Sequence, residues 1–586
     1  MKKGILIALV ALLSAFEVMA VPARPGKIIY TQPDGTILVL QLKGDEFGHW
    51  AVDASGQAYV ADETGRYVPA TDAEISELRI NSSRRRSSGN IRRAAVKRAA
   101  ADPVASGQKH FLVVLVEFTD LSFVIEEAQQ AFTDLLNQPG YSENGGTGSA
   151  RDFYYDNSNG YFEPVFDVYG PVQVGHDYAY YGKNQGGDDA RPEEALIEGC
   201  KGLDEVIDFS QYDNDGDGKV DMVFMYYAGY NEAEGGSANT IWPHQWDLSY
   251  AGEEFDLDGV TIDKYACTSE LRGSSGSTMS GIGAACHEFG HAMGLPDMYD
   301  TDYTTNGEAG ALYSYSTMCS GSYNNDGCTP PYFNFEERIL LGWVSEDDYL
   351  TFDKSGVYTI PPVTGNVAYR TFTDQDGEYF VYESRPQTGW DAYNPGEGLL
   401  VYHADKSSRR VRTAYGTYSA YTLWNDWEST NCINENGSHP CFYLIPSASQ
   451  SNLNYYYESR IPFPFRDQVT SYVPLSWNGV EGTVSFSEIS LQGSDVKLRA
   501  SVATGDIGYL TIADAGSYRA GDRFTFLLVH SDEVEVETPS EVLWYYDDEP
   551  VRADSVSLTA GEHTVEAVLS YADGRRSVLT LEITVE

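Results

Sequence analysis

Six consecutive apolar residues, Phe111-Leu112-Val113-Val114-Leu115-Val116, lie between Lys109-His110 and Glu117. A strand with one face in water alternates apolar and polar positions, so an unbroken run of this length predicts a strand covered on both faces. From Ile125 to Leu136 the apolar positions take helical spacing, and strand followed by helix predicts an α/β layer. Asp221 to Tyr227 reads as a further buried strand, and Met279 to Gly294 and Phe333 to Leu341 read as helices. Earlier, Thr36 to Leu40 is strand-like and follows the turn Pro33-Asp34-Gly35. From Val357 to about Val502 the runs become short and alternating, broken by Gly and Pro, which predicts a β-rich region. Residues from about Asp506 to Glu586, with Phe524 to Val529, Val542 to Tyr546 and Val578 to Val585, have the spacing of a small Ig-like β-sandwich.

The first apolar run is different in kind. Lys2 and Lys3 precede Gly4 to Phe16, and Val18-Met19-Ala20 puts small residues where a signal peptidase cuts. The run is shorter than the roughly 20 residues of a membrane span. A cleaved signal peptide over 1–20 is therefore expected, with a secreted or extracytoplasmic location, cell surface included, and no span in the remainder. In an oxidising compartment the nine-residue spacings of Cys319/Cys328 and Cys432/Cys441 make those two pairs disulfide candidates among seven cysteines.

Composition and charge narrow the class. The chain has 586 residues with 39 Lys+Arg against 87 Asp+Glu, a net charge of −48. A field of that sign repels phosphate backbones, so nucleic acid is excluded as an expected partner. Against this background, Arg79 to Arg98 carries eight basic residues and no acid. Such an island predicts an exposed, protease-sensitive junction. The expected organisation is a propeptide with its basic linker over 21–98, a catalytic domain over 99–350, a β-rich domain over 351–504 and the sandwich over 505–586.

The chemistry centres on His287-Glu288-Phe289-Gly290-His291. On a helix the two histidines stand one turn apart on one face, so both imidazoles reach one zinc ion at about 2.0–2.1 Å. Glu288 lies beside them as the expected catalytic base. Gly294 and Pro296 end the helix and turn the chain back. Asp297 then falls ten residues after His287, where the extended motif puts a third ligand. A glutamate on the later helix, Glu336 or Glu337, is the alternative. Met318, in the small-residue turn Ser316 to Gly321, is the candidate for a methionine turn beneath the zinc.

A second metal is expected at Asp213-x-Asp215-x-Asp217-Gly218-x-x-Asp221. The oxygens at positions 1, 3, 5 and 9 and the Gly at 6 suit a structural calcium loop, although position 12 is Phe224, so it is no EF-hand. Trp242-Pro243-His244 reads as a packed aromatic with a surface histidine. The stretch before Arg98 has no Cys, so latency cannot come from a thiolate. A carboxylate such as Asp34 or Asp45, or steric cover, remains.

Gly148 to Ser158, Asp208 to Gly218, Tyr227 to Tyr230, Ile241 to His244, His287 to Asp300 and Leu341 to Val344, with a weaker continuation at Gly389 to Tyr393 and Gly398 to His403, together carry a likeness. Through them the chain resembles the immune inhibitor A family of secreted zinc metallopeptidases. The resemblance covers about Lys109 to Trp343. It implies a metzincin-like, zincin-type α/β domain (a mixed sheet plus the zinc helix) and an endopeptidase made as a zymogen. It also implies His287 and His291 as zinc ligands, Glu288 as base and protein or peptide substrates. The second residue after Met318 is Ser320, where many methionine-turn proteases keep a tyrosine, so that role is unassigned. Two other classes share these features: a binding protein or adhesin on an inactive zincin scaffold, and a zinc amidase acting on cell-wall or glycan substrates.

Overall fold

The computed structural model describes residues 21–586 apart from 47, 63, 82–104, 186–187, 302–310, 415, 448–454, 465–468, 503–510, 514–516, 530–540, 548, 552–554 and 571–575. The expected signal peptide and most of the basic junction lie outside the described residues. The chain is mixed α/β with several sheets and divides into two compact units. One comprises the chain up to Thr351 with Thr359–Thr470 and Glu488–Lys497, and the other Phe352–Tyr358, Ser471–Ser487 and Leu498–Glu586. No helix among the described residues is long and apolar enough to cross a membrane.

The larger unit opens with five strands, Ile28–Thr31, Ile37–Asp45, Gly48–Asp53, Ala58–Ala61 and Tyr67–Pro69, paired antiparallel in chain order. A helix over 72–81 follows. Next comes a five-stranded mixed sheet in the order His244–Asp247, Lys264–Ser269, Val223–Tyr227, Gly107–Glu117, Phe162–Gln173. Its pairs are parallel except at the edge, where His244–Asp247 runs antiparallel to Lys264–Cys267.

The apolar run is explained by its two faces. Phe111, Val113 and Leu115 join a core with Phe132, Phe153, Tyr154 and Phe289, whereas Leu112, Val114 and Val116 join one with Ala195, Leu196 and Cys200. Helices thus cover both sides: Ala128–Asn137, Ala150–Asn157 and Gly283–Ala292 on one, Pro192–Leu203 on the other. Each residue of the run is removed from water, which at about 25 cal/mol per Å² drives the sheet to the centre of the unit.

The β-rich stretch forms a second five-stranded sheet in the order Leu350–Thr351, Tyr369–Phe372, Glu378–Arg385, Gly398–Asp405, Phe442–Leu444. In the smaller unit a four-stranded antiparallel sheet, Glu549–Val551, Glu541–Tyr546, Gly561–Ser570 and Arg576–Val585, packs on Phe524, Phe526 and Leu558.

The disulfide expectation is corrected: the seven cysteines are buried thiols, none of them in a disulfide. Cys432 Sγ donates to the Thr430 carbonyl at 2.5 Å, and Cys328 Sγ meets Arg272 and the Asn144 carbonyl. Sequence spacing sets neither the Cβ separation nor its direction, which a disulfide requires.

Candidate metal centre and active site

The motif helix, Gly283–Ala292, is shorter at its start than the pattern suggested, because Met279 instead pairs with Leu271 in an isolated bridge. Its small residues are used for close approach: a Cβ at Gly283 would lie 1.8 Å from the Ser322 carbonyl oxygen. Gly294 follows the helix at φ +110°, a conformation an L side chain resists, and turns the chain toward Asp297.

His287, His291 and Asp297 come together, all buried. The two Nε2 atoms are 3.0 Å apart, and Asp297 Oδ1 is 3.3 Å from His287 Nε2 and 3.2 Å from His291 Nε2. Each Nδ1 is 2.7 Å from a carbonyl, Thr317 O for His287 and Leu295 O for His291. Those carbonyls can only accept, so Nδ1 carries the proton and Nε2 turns a lone pair inward. Asp297 Oδ1 is a buried oxygen without a hydrogen-bond partner. Three lone-pair atoms facing one another in a dry site would repel, and the set is one that a cation of zinc's ligand preference satisfies. Burial raises the Asp297 carboxyl, but the imidazoles more than reverse this and hold it below the ordinary carboxylate range. Burial lowers His287.

Met318 lies beneath the helix. A Cβ at Gly290 would stand 2.7 Å from Met318 Sδ, so the absence of a side chain between the two histidines makes room for the methionine. Its N–H donates to Ser316 Oγ, and Ser316 Oγ donates to Glu337 Oε1 at 2.5 Å. Glu337 also closes a capping box with Asn334 at the helix Phe335–Leu340. Glu336 accepts from Tyr349, Tyr379 and Lys406. Both alternative third ligands are therefore engaged elsewhere.

Glu288 is fully buried, and burial pushes its carboxyl well above the ordinary range. Its Oε1 accepts from the Val21 backbone nitrogen at 2.8 Å, while Oε2 has no partner. The segment from Val21 lies along this site: Trp242 Nε1 donates to Val21 O, Tyr323 Oη donates to Pro22 O, and Arg24 N donates to Ala233 O. The Arg24 guanidinium pairs with Glu234 and Asp326. His49 stacks on Trp242 with centroids 4.7 Å apart and pairs with Glu232 at 2.8 Å. Sequence reasoning missed Val21 because nothing local marks it. Of the two carboxylates named for latency, Asp34 pairs with Arg66, and Asp45 is the buried last residue of the strand Ile37–Asp45.

His244 is buried rather than on the surface. It bonds to the Trp242 carbonyl and Tyr265 Oη, and burial lowers it to about 4. In the second acidic site Asp213, Asp215 and Asp217 converge within 4.8 Å, but Asp221 is not among them. Its Oδ2 accepts from Asn214 N and Nδ2.

Residues 102–336 match the model of the immune inhibitor A peptidase M6 catalytic domain. The chain is 25% identical over 345 residues to the pre-pro-metalloprotease PrtV of Vibrio cholerae serotype O1, covering 51% of this chain and 37% of that protein. It is 26% identical over 258 residues to immune inhibitor A of Bacillus thuringiensis subsp. alesti, covering 40% of this chain and 33% of that one. The alignments thus span about a third of these curated relatives. The crystal structure of wild-type OgpA from Akkermansia muciniphila aligns over 84% of this chain and 96% of that one at 12% identity, with a TM-score of 0.20, too low to carry an argument. With the HExxH helix, its inward-facing histidines and the domain match in agreement, residues 102–336 resemble the catalytic domain of the immune inhibitor A, or M6, peptidases.

Proposed function

We propose that this protein is a zinc-dependent endopeptidase, secreted as a zymogen, that cleaves protein substrates. The observation that carries the reading is the convergence of His287 Nε2, His291 Nε2 and Asp297 Oδ1, with both Nδ1 atoms already committed, beside a buried Glu288 on the same helix. The three atoms hold zinc, in a zincin-type site with Met318 as its floor. Bound there, zinc supplies Lewis acidity, which polarises a carbonyl and acidifies water. Glu288 takes one proton from the attacking water and passes it to the amide nitrogen as the C–N bond breaks, and the new carboxyl group gives its remaining proton to the amine, leaving a carboxylate and an ammonium. Its contact with the Val21 nitrogen at 2.8 Å supports this role, since the same carboxylate holds a backbone nitrogen of a chain lying in the site.

That contact also supports latency. While Val21 to Arg24 are held by Trp242, Tyr323, Ala233 and Glu234, a substrate cannot reach Glu288. Removal of residues 1–20 would make the Val21 nitrogen an α-ammonium and strengthen the pairing. Activation follows cleavage within 79–98 and release of the segment 21–98 from the catalytic domain, 99–350. The domains over 351–504 and 505–586 remain attached. Asp213, Asp215 and Asp217 hold a stabilising calcium ion.

The test is digestion of denatured casein by the secreted chain, before and after the basic junction is cut, with and without a zinc chelator. Activity that appears on cutting and vanishes with chelator is expected. An inert, zinc-loaded chain after the cut would sink the peptidase reading and favour the amidase or the binding scaffold.

A further inference from the structure

Asp297 is gripped from outside the matched domain. Its backbone N–H donates to Asn431 Oδ1 at 2.9 Å, and Asn431 Nδ2 donates back to Asp297 Oδ2 at 2.8 Å. Both ends of one amide are thus spent on one residue, 134 positions away in sequence. The carboxylate oxygen left over is Oδ1, the one beside His287 Nε2 and His291 Nε2. Asn431 is itself fixed. It follows the helix Trp427–Thr430 at φ 39°, ψ 40°, a left-handed conformation that asparagine tolerates. Its carbonyl accepts from Thr301 Oγ1 at 2.9 Å, and Cys432 and Ile433 beyond it are buried in the main core.

We propose that Asn431 is a positioning residue for the metal site: it stops rotation of the Asp297 carboxylate so that Oδ1 faces the cation. The site is then completed by a segment beyond residues 102–336, and a chain ending with that domain holds zinc more weakly. This rests on the reading of Asp297 as the third donor. A carboxylate bonded through one oxygen has lost the rotation that would otherwise oppose binding, and such partners are worth about 10–100-fold in metal affinity.

Asn431→Gly removes the amide and keeps the left-handed backbone without strain. Zinc affinity is measured on the full chain by competition with a chromophoric chelator, alongside thermal melting of the metal-free protein and the visible spectrum of the cobalt-loaded one. Affinity is expected to fall about 10–100-fold, with metal-free melting unchanged and the cobalt bands altered. In an Asp297→Ala background the same substitution should add less than about twofold, because the clamp then has nothing to hold. Wild-type affinity in Asn431→Gly, or an equal loss in both backgrounds, overturns the proposal. Should Asn431→Gly melt lower, Asn431→Asp is read in its place. That variant keeps the acceptor for the Asp297 N–H and loses the donor to Oδ2, and wild-type zinc affinity there overturns the proposal equally. If Asp297→Ala itself binds zinc as wild type does, the third-donor reading falls, an outcome distinct from silence at Asn431 alone.

Discussion

At the scale of single residues, Glu288 stands apart from the donors around it. It shares a helix with His287 and His291 but not their group of converging atoms, and its side-chain hydrogen bond among the described residues is from the Val21 nitrogen. Glu288→Ala should therefore retain bound zinc, measured as metal content, while casein hydrolysis by the cut protein falls by about 10²–10⁴-fold, the worth of a general base. Wild-type hydrolysis by that variant would remove Glu288 from the chemistry. His49 carries the pH dependence. Burial alone would lower its pKa, but the Glu232 carboxylate outweighs this and holds it above the ordinary 6.5. A group raised by docking contributes fully below about 6.5 and is lost as pH rises through the docked value. After the junction is cut, the segment 21–98 should leave severalfold faster at pH 8.5 than at pH 5.5, followed by size exclusion. His49→Gln should flatten that difference, and an unchanged pH profile would exclude the pair as the cause.

Among the elements, the motif helix depends on what it lacks. Gly283 opens it against the Ser322 carbonyl, where an added Cβ would sit at 1.8 Å from a backbone atom that has no flexible end to move. Gly283→Ala should lower stability by about 1–3 kcal/mol or more, despite alanine's better helix propensity, and denaturant unfolding would register it. Unchanged unfolding would mean that the loop Ser320–Tyr323 yields freely. The strand Gly107–Glu117 was legible because burial on both faces leaves an unbroken apolar run, a signal that a half-exposed strand lacks. The start of the motif helix was not legible. Apolar and small residues from Met279 onward fit helical spacing, but a backbone pairing of Met279 with Leu271 took precedence over propensity.

For the molecule as a whole, the acidic loop Asp213 to Asp217 lies beside the strand Val223–Tyr227 at the centre of the mixed sheet, joined to it by Asp221. Calcium bound there would link a surface turn to the core and so contribute to stability rather than chemistry. EGTA should lower the melting temperature by several degrees, and calcium but not zinc should restore it. A melt indifferent to both would mean that the loop is a hydrogen-bonded turn complete in itself, as its carboxylate bonds to the Gly216, Asp217 and Gly218 amides allow.

The sequence by itself determined the residues whose partners are near in the chain. His287, Glu288 and His291 follow from helix periodicity, the turn at Gly294 from its missing side chain, and the buried strand from six apolar positions in a row. Only the tertiary structure decided the contacts between distant segments. It placed Asp297 beside His287 and His291, left the paired-looking cysteines apart, set Val21 against Glu288 and brought Asn431 to Asp297. The physical reason is that a helix or strand fixes directions over a few residues. Which remote atoms then meet is settled by packing around the shared core, where 267 residues separate Val21 from Glu288 and no local pattern records the approach.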